Sequence, residues 1–213
     1  MDSIEIDDKS FILIELGEAF YLAKQYERAI EAYLNAKKIT KDESKLFFGV
    51  YLGLARSYRD IGNLHEAKKF FKRVYEYSPS GKNGLDYLRV LKKIGDESQV
   101  EKFFNRFKND AAANFGCSPD NKWISLEYIG SALHIMGRHD KALCVLDKAT
   151  ESDNGKFAGL YESAKILIEI GRSSKADKKL NLILEKTKGW PNNQYWKAKV
   201  MELREIVNKE EQR

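Results

Sequence analysis

Three histidines and two cysteines are the residues of this chain best suited to catalytic or metal chemistry. His65, His134 and His139 lie without a Cys, Asp or Glu at the spacing of a catalytic triad or a zinc cluster. Cys117 and Cys144 are far apart, so neither a disulfide framework nor a metal site is predicted, and Cys144 is expected to be a buried thiol of an apolar helix stripe. The sequence also lacks the HExxH, GxxxxGK[ST], GxGxxG and calcium-loop motifs. We therefore expect no enzyme activity, no metal and no cofactor.

Basic side chains offer a different chemistry, which is the binding of carboxylates. Arg forms two parallel charge-assisted hydrogen bonds with one carboxylate, and Lys adds a compact positive charge. Two neighbouring segments of the chain carry five such residues at helical spacing: Arg56, Arg59, Arg89, Lys92 and Lys93. Asp60, Asp86 and Glu97 lie nearby in the sequence. The pattern is compatible both with a cluster that binds an acidic partner and with solvated charges paired among themselves.

The elements that position these side chains are predicted to be helices. Apolar residues recur at three- and four-residue intervals, as in Leu13, Leu16 and Phe20, which is typical of an amphipathic helix rather than a strand. A further pattern returns five times: a small residue, a large apolar one three places later, often Gly at seven, and Ala or Val at twelve. The clearest copy contains Ala55, Tyr58, Gly62, Ala67, Phe71, Val74 and Pro79. In the first copy Lys24 takes the place of the Gly.

This repetition resembles the tetratricopeptide repeat, a helix-turn-helix unit of about 34 residues. The anchors Gly17, Ala55, Leu88, Gly130 and Ala164 are 38, 33, 42 and 34 residues apart. The resemblance implies an all-α fold, a right-handed α-α superhelix (solenoid) of helix-turn-helix repeats. We expect one domain over 1–213, with repeats at about 9–42, 45–79, 82–115, 121–154 and 156–189. A bend or loop is predicted at 108–122, and a capping helix at about 192–210 with Tyr195 and Trp196 as core contacts.

In a solenoid of helical hairpins, the first helix of each pair lines the concave face. If Ala55 and Tyr58 pack against the partner helix, Leu52 and Arg56 point into the concavity. The same register in the fourth copy selects Glu127, Ser131, His134 and Ile135. The predicted partner-binding residues of the groove are Leu52, Arg56, Arg59, Arg89, Lys92, Lys93, Tyr161 and Lys165. Relatives that bind the carboxyl tails of heat-shock chaperones carry a set of Lys and Asn residues, but this chain has Ile14, Glu18, Gly53 and Arg56 at the corresponding places of its first two copies. The resemblance therefore argues against that ligand.

Composition narrows the class of partner. Of 213 residues, 43% are hydrophobic, which is too many for a disordered chain. The 37 basic and 32 acidic residues are interleaved, whereas phosphate-binding surfaces concentrate basic charge on one face, so nucleic acid is disfavoured. We see no signal peptide and no apolar run of membrane-spanning length, and therefore expect a cytoplasmic protein. A homo-oligomer stays an alternative, because four aromatic residues are expected on the surface, where they could form a contact between copies of the chain. They are Phe47, Phe48, Phe70 and Phe103.

The function best supported by the sequence is a non-catalytic scaffold or adaptor for protein binding. It would hold a peptide or helix of a partner protein, with acidic groups, in the concave groove. Two alternatives stay open: a helical-repeat accessory region of a larger enzyme or complex, and an RNA-binding helical repeat. The residues do not identify the partner, the pathway or the oligomeric state, or whether the chain is a fragment of a larger protein.

Overall fold

Helices joined by short turns make up the computed structural model of the protein. It describes residues 2–40, 45–114, 122–151, 156–190 and 193–211. The helices are, in chain order, α1 (Asp2–Leu22), α2 (Tyr26–Ile39), α3 (Lys45–Asp60), α4 (Leu64–Tyr77), α5 (Gly81–Ile94), α6 (Glu97–Asn114), α7 (Lys122–Ile135), α8 (His139–Ala149), α9 (Lys156–Glu169), α10 (Ser173–Lys186) and α11 (Asn193–Glu211). No strand occurs in these residues. The predicted all-α fold of helix-turn-helix repeats is confirmed.

The chain divides into two compact units, residues 1–105 and residues 106–213. In unit 1, α1 packs against α2 and α3, α2 packs against α3, α3 packs against α4, and α4 packs against α5. In unit 2, α7 packs against α8 and α9, α8 packs against α9, and α9 and α10 pack against each other and against α11. The first helices of successive hairpins are therefore neighbours, both at α1 and α3 and at α7 and α9. The single domain over 1–213 stays a prediction.

Small residues at repeated positions allow the paired helices to approach closely. The position twelve places after each anchor is fully buried in all five copies. These residues are Ala29, Ala67, Val100, Ala142 and Ala176. Larger side chains close around them, among them Tyr33, Leu54 and Phe71 in unit 1 and Leu146 and Leu180 in unit 2. The pattern found in the sequence is thus the pattern of the core, because each hairpin buries its apolar face against the next one.

Four of the five turns between paired helices contain a glycine in the left-handed conformation. The φ angles of Gly62, Gly95, Gly137 and Gly171 are 82°, 84°, 77° and 72°. At the corresponding place in the first copy, Lys24 has φ 58° and is exposed. It is the single non-glycine residue with positive φ in the described part of the chain. A left-handed conformation costs an L-residue about 1–2 kcal/mol, so the first turn carries strain that the other four lack.

Replacing this lysine by glycine is expected to stabilise unit 1. Lys24→Gly removes the strain but raises the entropy of the unfolded chain, so we expect a net gain of about 0.5–1 kcal/mol in the free energy of unfolding. The reverse change in the second turn, Gly62→Ala, is expected to lose about 1–2 kcal/mol. Urea unfolding followed by circular dichroism measures both. A Lys24→Gly variant less stable than the parent would show that the Lys24 side chain makes a contribution larger than its strain.

Two expectations about the second half of the chain need correction. Residues 108–114 of the loop predicted at 108–122 are helical, because α6 continues to Asn114 and Ala111 is buried within it. The alanine run is a strong helix former, and the Ser125 hydroxyl donates a hydrogen bond of 2.7 Å to the Ala111 carbonyl. Residues 115–121 lie outside the described residues. The capping helix is present as α11, but Tyr195 is 61% exposed and is not a core contact.

Several side chains are buried where the sequence predicted exposure, and one is exposed where it predicted burial. Phe47 and Phe103 are buried, and Phe48 and Phe70 are partly buried in the core of unit 1, so the aromatic residues on which the homo-oligomer expectation depended are used inside the fold. Cys144 is exposed rather than buried. The reason is the phase of α8, which turns Ala142, Leu146 and Ala149 inward and places Cys144 on the opposite side.

Candidate partner-binding face

The first helices of unit 1 are held together by one aromatic ring from a second helix. Tyr33 of α2 is 1% exposed and lies against Gly17 of α1 and Gly53 of α3. A Cβ atom at Gly53 would lie 2.2 Å from the Tyr33 Cζ atom, and one at Gly17 would lie 2.7 Å from Cε1. The Tyr33 hydroxyl donates a 2.9 Å hydrogen bond to Glu18 Oε2. Glycine at both places therefore lets α1 and α3 close around the ring.

A hydrogen-bonded network then joins the ends of α1 and α3. The Tyr21 hydroxyl donates to Asp60 Oδ2 at 2.7 Å, and Arg59 donates from Nε to Oδ1 at 2.7 Å and from Nη2 to Oδ2 at 3.1 Å. Burial raises the pKa of the Asp60 carboxyl, but the hydrogen bonds from Arg59 and Tyr21 and nearby positive charges outweigh burial and leave this pKa below its usual value. Asp60 therefore stays ionised and fixes the Arg59 guanidinium.

The five predicted cations of this face fall into two groups. Three have ion-pair partners: Arg59 with Asp60, Arg89 with Asp86 and Lys92 with Glu97. In the part of the chain that the structure describes, Arg56 and Lys93 have none. The positive charge of Lys93 contributes to the lowered pKa of Asp60. Burial and the hydrogen bond to Asp60 raise the pKa of Tyr21, and the positive charge of Arg56 opposes this rise, so both cations act on the same network. We call Arg56, Arg59 and Lys93 the basic cluster of unit 1.

The other predicted residues have different surroundings. Leu52 is partly buried and packs against the core of unit 1. In unit 2, the Lys165 ammonium donates to both carboxylate oxygens of Glu162, at 3.1 and 3.0 Å, and lies 5.8 Å from the centroid of the Tyr161 ring. Lys199 of α11 lies 5.9 Å from the same centroid. Two cations therefore already occupy the surroundings of the Tyr161 ring.

Glu127 of α7 is the most perturbed acid among the described side chains. It is partly buried and has no hydrogen bond or ion pair there, whereas the neighbouring Glu162 is paired with Lys165. Burial and the negative charge of Glu162 raise the pKa of Glu127 to about 7, although the positive charge of Lys165 opposes them. Helical phase predicted that Glu127 points into the groove, but the packing that shifts its pKa has no signature in the sequence.

Two further properties concern chemistry beyond this face. Within the described ranges, no three His, Cys, Asp or Glu side chains come together in a group that could hold a metal ion. Of the helices as far as they are described, none combines the length and apolar character needed to cross a membrane.

Comparison with known proteins finds a match to one repeat family and a similarity in fold to solved structures. Residues 48–80 match the Tetratricopeptide repeat family, which agrees with the clearest copy of the pattern. No curated protein sequence matches the chain. Three of the solved structures that are similar to it in fold are described below. A putative kinesin light chain of Podosopora anserina with nearly identical TPR-like repeats has a TM-score of 0.57 and 15% identity, and the match covers 84% of this chain and 96% of that chain.

The other two structures show the same architecture. TTC0263, a thermophilic TPR protein of Thermus thermophilus, has a TM-score of 0.53 and 14% identity, with 91% of this chain and 98% of that chain covered. The MamA protein has a TM-score of 0.51 and 18% identity, with 85% and 93% covered. Sequence identities this low show a shared fold but do not identify a binding partner. Residues 48–80 therefore match one tetratricopeptide repeat, and the chain shares the fold of these tetratricopeptide repeat structures.

Proposed function

We propose that this chain is a non-catalytic protein-interaction module that binds an acidic segment of a partner protein on the first helices of unit 1. One observation carries the proposal: Arg56 and Lys93 have no ion-pair partner among the described residues, and they border a network in which Arg59 is already fixed by Asp60 and Tyr21. The repeat fold supports the proposal at the level of class, since first helices of such hairpins present side chains to ligands.

The three residues of the basic cluster contribute to binding in different ways. Arg56 and Lys93 provide the uncompensated positive charge, and Arg56 can form two parallel hydrogen bonds with one carboxylate. Arg59 is oriented before binding, so its position costs little conformational entropy when a ligand arrives. Arg89 and Lys92 contribute less in this proposal, because Asp86 and Glu97 already compensate their charges. A partner segment that carries several acidic side chains fits these features best.

Fluorescence anisotropy with labelled peptides of twelve residues tests this function. The panel contains an acidic-apolar peptide, its counterpart with every acid replaced by Lys, and an uncharged one with the same apolar residues. We expect the acidic peptide to bind with micromolar affinity that weakens as salt rises. The double variant Arg56→Glu/Lys93→Glu is expected to bind it about tenfold or more weakly, because repulsion replaces attraction at both cations.

A control separates this cluster from the effect of net charge. Lys68→Glu/Lys102→Glu makes the same change in charge on the second helices α4 and α6, and we expect it to alter affinity less than twofold. If the control variant loses as much affinity as the cluster variant, or if the Lys peptide binds as well as the acidic one, the proposal is wrong.

A further inference from the structure

Two of the three histidines of the chain meet at the turn between α7 and α8. His134 lies in the last turn of α7, and His139 is the first residue of α8. Their Nδ1 atoms are 2.9 Å apart, and the ring centroids are 4.9 Å apart with an angle of 54° between the ring planes. Both side chains are partly exposed, so solvent species reach the pair.

A third side chain fixes the orientation of the first ring. His134 Nε2 lies 2.6 Å from Glu169 Oε2, at the end of α9. A carboxylate only accepts hydrogen bonds, so neutral His134 carries its hydrogen on Nε2 and leaves a lone pair on Nδ1. In the absence of another ligand, His139 donates its Nδ1 hydrogen to that lone pair. A histidine whose other ring nitrogen donates to a carboxylate is the arrangement that proteins use at metal-ligating histidines.

The separation of the two Nδ1 atoms also fits a shared ion. Metal–nitrogen bonds of about 2.0–2.1 Å to two atoms 2.9 Å apart enclose an angle of about 90°. This is the angle between neighbouring ligands in square-planar or octahedral coordination, the geometries of Cu²⁺ and Ni²⁺, whereas tetrahedral Zn²⁺ requires a wider separation. Asp140, the next residue, is paired with Arg172 at 3.1 Å and is not needed as a ligand.

We propose that His134 and His139 form a binding site for a divalent transition-metal ion such as Ni²⁺ or Cu²⁺, with both Nδ1 atoms as ligands and Glu169 as the residue that positions His134. Water completes the coordination of the ion. To bind it, His139 moves its hydrogen from Nδ1 to Nε2 through solvent, and no net proton is lost. The ion would link the ends of α7 and α8 directly and α9 through Glu169. This site lies in unit 2 and is independent of the proposed function.

Isothermal titration with Ni²⁺ tests the site on the full chain without a histidine tag. Ni²⁺ is the better probe because Cu²⁺ oxidises thiols and Cys144 is exposed. We expect one ion per chain, and at least tenfold weaker binding in His134→Ala and in His139→Ala. Glu169→Gln is expected to weaken binding about tenfold while the stoichiometry stays the same. His65→Ala removes the third histidine, which lies on α4, and is the control expected to change affinity less than twofold.

A direct readout on the unmodified protein protects the test against variants that fold poorly. Paramagnetic Ni²⁺ is expected to broaden the ring proton resonances of His134 and His139 in NMR spectra and to leave those of His65 sharp. The proposal is wrong if the unmodified chain binds Ni²⁺ only at millimolar concentrations, if His65→Ala removes the binding, or if all three histidines broaden equally.

Discussion

Gly53→Ala is expected to lower the free energy of unfolding by about 2 kcal/mol, although alanine is the better helix former. The added Cβ would lie 2.2, 2.4 and 2.6 Å from three atoms of the Tyr33 ring, closer than any real contact. Because Tyr33 is 1% exposed, its ring cannot move away without opening the contact between α1 and α3. Overpacking of this kind costs about 1–3 kcal/mol or more, and the gain in helix propensity of up to about 1 kcal/mol offsets only part of it.

Gly49→Ala is the matched control, one turn earlier on the same helix. A Cβ at Gly49 would lie 3.5 Å from Ile14 Cγ2, which is an ordinary contact. We expect this variant to be as stable as the parent or more stable by up to about 1 kcal/mol. A second variant, Gly53→Ala combined with Tyr33→Leu, is expected to be less destabilised than the sum of the two single changes, because the smaller side chain relieves the overlap.

Urea unfolding of five proteins, followed by circular dichroism, measures these differences: the parent, the double variant, and the single variants Gly53→Ala, Gly49→Ala and Tyr33→Leu. If Gly53→Ala and Gly49→Ala have the same stability, the close approach of α1 and α3 around Tyr33 is not a feature of the protein in solution.

The second large effect concerns Glu127 and depends on pH. The pKa of Glu127 is about 7 in the folded protein, whereas its usual value, taken for the unfolded chain, is 4.5. Between pH 4.5 and pH 7 the folded state therefore holds a proton that the unfolded state has lost. Stability from this group therefore falls as pH rises from 4.5 to 7, and above pH 7 the full penalty of a buried charge beside Glu162 is present. The shift corresponds to about 3 kcal/mol at most, and solvent screening of a partly exposed carboxyl reduces it to about 1.5 kcal/mol.

Glu127→Gln removes the charge and keeps the shape of the side chain. We expect the variant to match the parent at about pH 4, where both states of the parent are protonated, and to be more stable by about 1.5 kcal/mol at about pH 8. Glu185→Gln, at an exposed position of α10, is expected to change stability by less than about 0.5 kcal/mol at both pH values. A Glu127→Gln variant less stable than the parent at the higher pH would mean that the carboxylate has a stabilising partner.

How much of the fold the sequence predicts depends on periodicity. The repeated small residues at positions such as Ala67 and Ala142 predicted buried helix contacts correctly, because spacing along a helix fixes which face is apolar. The same reasoning mistook Cys144 and Tyr195, which lie beside apolar positions but on another face of their helices. Lys24 shows the opposite case: its place in the repeat correctly indicates a turn even though its residue type does not.

The candidate site is less predictable than the fold, because its chemistry depends on contacts between distant parts of the chain. Helical phase predicted that Arg56, Arg59 and Lys93 lie on the same face. The sequence could not show which of them are paired, since the Tyr21 hydroxyl that fixes Asp60 is contributed by a helix 39 residues away. The contact of His134 with Glu169 spans 35 residues and was equally hidden. Such contacts arise from the packing of one hairpin on the next.

Mapping of the acidic-apolar peptide on the protein by two-dimensional NMR tests the central claim most directly. We predict that the peptide shifts backbone amide resonances of α3 and α5 around Arg56, Arg89 and Lys93 and leaves those of α4 unchanged. At the same peptide concentration, the shifts are expected to be much smaller in the Arg56→Glu/Lys93→Glu variant. Shifts confined to the second helices α2 and α4, or equal shifts with the Lys peptide, would contradict the assignment of this face as the surface that binds an acidic partner.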